Sequence, residues 1–202
     1  MTDPLRMFLV LRRGAVATLE RAAVLGGAAA VACVREFEID PEWRERPGKV
    51  CLRARNLAQW EAVLEEPHAL AGDALGESVA ALPPRRRSER GPLLEKLQAM
   101  SSDLGPAPTE AGRPRPGEVT YVLNPELEMS SGKVVAQVAH AAVMAAAALP
   151  AWAQAGAPGR LVAPRGFAGL AAREDLAARV VDAGLTEVAP GTVTVLALPP
   201  AA

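Results

Sequence analysis

Met129-Ser-Ser-Gly-Lys-Val-Val-Ala-Gln-Val-Ala-His140 is the stretch that decides how this chain is read. It follows Val119–Leu123, which reads as a strand, and opens an Ala-rich segment that reads as a helix from about Gly132 to Leu149. Ser130 or Ser131 can cap that helix, because a hydroxyl accepts from the N–H groups that a helix start leaves unpaired. Lys133, Gln137 and His140 then fall at i, i+4 and i+7, on one stripe. Val134, Val135, Val138 and Val143 lie off the stripe and can pack. An amine, an amide and an imidazole within two turns of a helix start are unusual in so apolar a helix. Lys133 is also one of only three lysines beside nineteen arginines. A solvated helix face would also explain the stripe.

Downstream, Arg160–Ala163 reads as a strand and Gly169–Val181 as a helix. The chain then carries Asp182-Ala-Gly-Leu-Thr-Glu-Val-Ala-Pro-Gly-Thr-Val-Thr194. Asp182 is expected at or just past the end of that helix, beside Gly184, which tolerates positive φ. Thr186 follows four residues later, and Pro190-Gly191 turns the chain into a last strand, Thr192–Leu198. Thr192 and Thr194 share one face of it. Alone, this segment reads as an ordinary turn.

Upstream, Gly105–Gly117 (GPAPTEAGRPRPG) is the clearest linker, and it sets the domain boundary: residues 1–104, linker 105–117, residues 118–202. The first half opens with a strand, Met7–Leu11, and a helix, Ala15–Val34, weakened at Gly26-Gly27. A second strand, Lys49–Arg55, places Val50, Leu52 and Ala54 on one face and Cys51, Arg53 and Arg55 on the other. Leu57–Leu70 reads as a helix interrupted by Pro67, and Ala81–Pro92, with Pro83-Pro84, as a break before a short helix in Leu93–Met100. The halves echo one another. Trp43…Pro47-Gly48-Lys49-Val50 parallels Trp152…Pro158-Gly159-Arg160-Leu161, and Arg55-Asn-Leu-Ala58 overlays Arg165-Gly-Phe-Ala168. This suggests a duplication, complete in the second half and truncated in the first. The expected fold class is α/β: a small mixed β-sheet covered by helices, as two pseudo-repeats.

Composition bounds the function. The 202 residues carry 22 Lys+Arg against 23 Asp+Glu, so any nucleic-acid contact must use a local patch. Half of the residues are apolar, which excludes wholesale disorder. Cys33 and Cys51 form no CxxC pair or disulfide framework, which fits a reducing compartment. No secretory-leader pattern opens the sequence, and the longest apolar run, Ala22–Val34, is too short to span a bilayer. The expectation is a cytoplasmic protein with no membrane partner. There is no G-x-S-x-G elbow and no Walker-type loop.

Taken together, GKVVAQVAHA (132–141) and DAGLTEVAPGTVTVL (182–196) resemble the type II peptidyl-tRNA hydrolase family, over residues 119–200 and in the right order. The resemblance implies hydrolysis of the ester between a peptide, or an N-blocked amino acid, and the 3′ ribose of tRNA. That reaction recycles tRNA in translation and uses no cofactor and no metal. It carries site roles onto Lys133, Gln137, His140, Asp182, Thr186 and Thr194. Asp182 would accept a proton or orient water, and Lys133 would stabilise negative charge on the oxyanion or a phosphate. Thr186 and Thr194 would position water or substrate, and Gln137 would hold its neighbours. His140 would assist proton transfer or serve only structure. The family often dimerises, so a homodimer or an intramolecular pseudo-dimer is expected, with peptidyl-tRNA as partner.

Two departures open an alternative. The family pattern DAGRTQ has become DAGLTE, with Leu185 and Glu187, and the stretch Asn124–Met129 lacks the usual Arg and Asp. Residues 118–202 carry five basic against seven acidic side chains, which is poor for holding a polyanion. The first half would then supply tRNA contacts through its clustered arginines, Arg85, Arg86 and Arg87 above all, unless these only solubilise the surface. The alternative is a catalytically inactive relative acting as a tRNA- or protein-binding module.

Overall fold

The structure, a computed structural model, describes residues 3–101, 104–110, 115–184 and 187–201. In chain order the first half runs β1 (Arg6–Arg12), α1 (Leu19–Glu36), α2 (Pro41–Glu45), β2 (Gly48–Ala54), α3 (Leu57–Glu65), β3 (Ala69–Gly72), β4 (Ser78–Arg85), α4 (Gly91–Lys96) and β5 (Gln98–Ala99). The second runs β6 (Val119–Leu123), α5 (Ser131–Ala148), α6 (Pro150–Gln154), β7 (Gly159–Val162), α7 (Phe167–Ala171), β8 (Ala178–Val181) and β9 (Val193–Leu198). One sheet has the order β3-β4-β1-β2-β5 and the other β8-β9-β6-β7. In each, the first and second strands of the half pair in parallel, and the first also pairs antiparallel with a later strand, β4 in one half and β9 in the other. The mixed α/β class is as expected, but the first half is no truncated copy. Its β1-β2-β3-β4 has the same order and directions as β6-β7-β8-β9, with β5 added at the edge.

The two sheets enclose a middle layer made of α1 and α5. Met7, Leu9, Leu11, Val79 and Cys51 of the first sheet face this layer, as do Tyr121, Leu161, Val180 and Val195 of the second. The opposite face of the first sheet, Phe8, Val10, Leu52 and Ala54, packs on Trp60 and Val63 of α3 and on Leu94 of α4. The second sheet's outer face, Val122, Val162 and Leu196, packs on Phe167 of α7. This is why β1 and β6 read as unbroken buried runs: both of their faces are covered. It also divides β2 as its alternation predicts.

Gly26 and Gly27 do not weaken α1, which runs unbroken for 18 residues. They let it approach α5. A Cβ on Gly26 would stand 2.7 Å from Val135 Cγ1, and one on Gly27 3.1 Å from the Ala142 Cβ. The contacts between halves are reciprocal: α1 packs on β7, and α5 packs on β2.

Two expected elements are corrected. Pro83-Pro84 does not break the chain, because β4 continues through it to Arg85. The prolines fall where β3 has already ended and where the β4–β1 register shifts, so no ladder donor is missed there. Gly169–Val181 is not one helix. It splits into the short α7 and the strand β8, whose burial alternates residue by residue. The Ala-rich composition favours helix, but pairing of β8 with β9 overrides it. Of the linker, residues 111–114 lie outside the described residues. Residues 104–110 lie along the second half, with Ala163 N donating to Pro108 O at 2.7 Å and Leu104 N to Ser131 Oγ at 3.3 Å.

Candidate active site

Ser130 starts the site. Its backbone is extended, and its Oγ accepts from Lys133 N at 3.2 Å, so the helix begins with a satisfied cap. That start fixes the phase of α5 and turns Lys133 and Gln137 toward the β8–β9 hairpin. Lys133 Nζ reaches Asp182 Oδ2 at 2.5 Å, an ion pair only 12% and 5% exposed. Gln137 Nε2 donates to the same oxygen at 2.9 Å, and Thr194 Oγ1 donates to Gln137 Oε1 at 2.6 Å. Four of the residues expected from the sequence thus form one chain, Lys133–Asp182–Gln137–Thr194. Asp182 follows a strand, β8, and not a helix as expected. Thr186 lies outside the described residues.

The hairpin holds Asp182 from three sides. Its N–H donates to Thr192 O at 2.9 Å, its carbonyl accepts from Gly191 N at 2.8 Å, and its Oδ1 accepts from Gly184 N at 2.7 Å. Gly184 has φ +74°, and a Cβ there would lie 2.6 Å from Pro190 N, so the turn requires glycine. Burial alone would raise the Asp182 pKa. The hydrogen bonds from Lys133, Gly184 and Gln137, with the Lys133 charge, hold it below the ordinary carboxylate value. Asp182 is therefore an anion at neutral pH.

His140 is different. It sits one turn beyond Gln137, and burial, with the nearby Lys49 charge, pushes its pKa down to about 3 against the pull of Asp182. Its imidazole is neutral at neutral pH. Lys49 comes from β2, in the other half. Its Nζ is enclosed, has no hydrogen-bond partner among the described residues and lies 4.8 Å over the Trp43 ring. Burial lowers its pKa to about 7. Sequence reasoning missed this approach of Lys49 to α5. The lysine's position on the inner face of β2, beside Cys51, was the available signal.

Arg85, Arg86 and Arg87 lie elsewhere, at the end of β4. Arg85 pairs with Glu66 at 3.1 Å and Arg86 with Glu42 at 2.6 Å. Arg87 is exposed, and its N–H donates to Asp3 Oδ1 at 2.9 Å. Glu187, read from sequence only as a departure, closes on the start of α5: its two oxygens accept from Ser130 N and Ser130 Oγ, each at 2.7 Å. Among the described residues, no three His, Cys, Asp or Glu side chains converge as metal ligands, and no helix is long and apolar enough to cross a membrane.

No solved structure matches this chain. A family model does match, that of peptidyl-tRNA hydrolase PTH2, over residues 118–157. The matched segment covers β6, α5 and α6, with Lys133, Gln137 and His140, and ends before Asp182. Over that segment the chain is similar to the type II peptidyl-tRNA hydrolases, in agreement with the motif that α5 carries.

Proposed function

We propose that this chain hydrolyses the ester linking a peptide, or an N-blocked amino acid, to the 3′ ribose of tRNA. The observation that carries the reading is the buried chain Lys133–Asp182–Gln137–Thr194, built on the helix that matches the family model. A carboxylate with a lowered pKa is a poor general base. Asp182 therefore acts chiefly by orienting: it holds the Lys133 ammonium and aligns the attacking water. Lys133 stabilises the charge that develops on the carbonyl oxygen. Water adds to the carbonyl carbon, the bond to the ribose oxygen breaks, and that oxygen takes the proton lost from water. Gln137 and Thr194 keep Asp182 in register, and His140 stays neutral beside them, under the influence of the Asp182 charge. Residues 118–202 are read as the catalytic half and residues 1–104 as a divergent copy docked on it as an intramolecular pseudo-dimer.

The test is release of diacetyl-lysine from diacetyl-lysyl-tRNA, comparing the wild type with Asp182→Asn. Turnover by the wild type and its loss in a folded variant support the reading. A wild type that binds tRNA without turnover would favour the binding-module reading, which the Glu187 carboxylate on the α5 start also favours. The arginines of the first half are read as the tRNA backbone contacts that the acidic second half lacks. Changing Arg85, Arg86 and Arg87 together to Gln should then weaken tRNA binding and flatten its salt dependence. Unchanged salt dependence removes that surface from the reading.

A further inference from the structure

The start of α5 borders a cleft of about 590 Å³, within the size range of small-ligand sites. Its apolar walls draw on distant parts of the chain. Leu123, Leu127 and Met129 belong to β6 and the loop into α5, Ala107 and Thr109 to the linker, and Leu19 to α1 of the other half. The linker wall is fixed in place by the Ala163 N to Pro108 O bond and by burial of Ala107 in the core.

The cleft adjoins the candidate site through residues that bond to it, although Lys133, Gln137, Asp182 and Thr194 do not line it. Ser130, in its lining, caps Lys133 and binds Glu187. Asn124, in its floor, donates to Val193 O at 3.0 Å, next to Thr194, and its own N–H donates to Thr194 O at 2.9 Å. Carboxylates stand on its lining, Glu128 and Glu187, and none of its fourteen lining residues is basic.

We propose that this cleft receives the acyl group of the ester, with bulky apolar acyl groups preferred and acidic ones rejected. The proposal rests on the hydrolase reading above. The physical grounds are the apolar walls, which lower the free energy of an apolar side chain leaving water, and the acidic rim, which repels a carboxylate. It also gives the linker and α1 a role: they complete a wall that the second half alone leaves open.

The experiment uses the full chain and one tRNA body carrying N-acetyl-leucyl, N-acetyl-glycyl or N-acetyl-glutamyl esters. The expected kcat/KM for the leucyl ester exceeds that for the glycyl ester by about tenfold or more, with the glutamyl ester slowest. Thr109→Trp, at an exposed linker position in the cleft lining, should bring the leucyl rate down toward the glycyl rate while leaving the glycyl rate in place. Leu127→Asp, in the lining contributed by the loop between β6 and α5, should do the same by charge and serves if the tryptophan disturbs the linker. Equal kcat/KM for all three esters, or proportional losses in both variants, overturns the cleft's role while leaving the hydrolase reading standing. Turnover of none of the esters overturns both.

Discussion

The two halves share a chain path but not a site. Align the helix caps, and Thr18 Oγ1, accepting from Arg21 N at 3.1 Å, falls on Ser130, accepting from Lys133 N. Arg21, Leu25 and Ala28 then occupy the places of Lys133, Gln137 and His140. Before their second strands, Trp43 Nε1 donates to Gly48 O at 2.9 Å and Trp152 Nε1 to Pro158 O at 2.7 Å. The hairpins agree as well. Asp73 Oδ1 accepts from Leu75 N and Asp182 Oδ1 from Gly184 N, and each aspartate's N–H bonds across its hairpin, to Glu77 O or Thr192 O. What differs is which groups meet. Arg21 pairs with Glu77 in the open, the two side chains 48% and 39% exposed, while Asp182 gathers Lys133 and Gln137 in a nearly closed site. The scaffold alone makes an Asx turn and a capped helix. Replacing Leu25 by Gln137 at one helix position, and burying the pair, makes a candidate site.

The sharpest way to break the comparison is to treat both aspartates alike. Asp182→Asn should lower hydrolysis by about 10²–10⁴-fold, because an amide neither holds the Lys133 charge nor orients water as the anion does. Asp73→Asn should leave turnover unchanged, since its hydrogen-bond partners among the described residues are backbone groups. Steady-state kinetics on the two folded variants checks this. Equal losses would mean that both hairpins act through stability alone.

Next in size is the seam between the halves. Gly26→Leu should cost about 2–3 kcal/mol, because Val135 is β-branched, buried and unable to swing away. For a chain of this length that lowers the midpoint of thermal unfolding by roughly 5–10 °C. The aligned position on α5 is Val138, so the two helices are not interchangeable at their crossing. A thermal scan showing no loss would mean that the halves are not held together at this contact.

Much of this was legible in the sequence, for stated reasons. The strand β6 and helix α5 were visible because a five-residue run and a 3.6-residue period coincide with a serine cap. The overlay of Arg55–Ala58 on Arg165–Ala168 held, since α3 begins after Asn56 and α7 after Gly166. The strand β8 was hidden because alanine and arginine favour helix, and only the partner strand β9, distant in sequence, reveals a period of two. The strand β4 was hidden because its prolines are harmless only beside a strand that has ended. The polar stripe named Lys133 and Gln137. Their meeting with Asp182 depends on a β8–β9 hairpin that local pattern did not predict.

The smallest effect contrasts a cation on the inner face of the first sheet, where the aligned residue of the second half is Gly159, with one on the outer face of the second. In register, Lys49 stands opposite Met7 on β1, and Arg160 stands opposite Thr120 on β6. Arg160 Nε donates to Thr120 Oγ1 at 3.0 Å, whereas Met7 offers Lys49 no acceptor. The buried ammonium therefore costs stability. Its folded pKa, lowered from 10.5 to about 7, means that the unfolded chain binds the proton more tightly between those values. Stability should rise with pH from about 7 toward 10.5, and the cost is fully present below 7. His140 acts with the same sign at lower pH: lowered from 6.5 to about 3, it should cost stability as pH falls through that window. Lys49→Met removes the charge and keeps a soft side chain over Trp43. It should raise stability at pH 7 by roughly 1–2 kcal/mol, offset in part by the lost cation–π contact, and flatten the pH profile between 7 and 10. It should also lift the His140 pKa by removing the neighbouring positive charge. Denaturant titrations at pH 7 and 10, with the His140 imidazole followed by NMR, measure both effects. A Lys49→Met chain that is less stable at pH 7, with His140 unmoved, would show that the ammonium has a partner in solution and that the first half satisfies its cation as fully as the second.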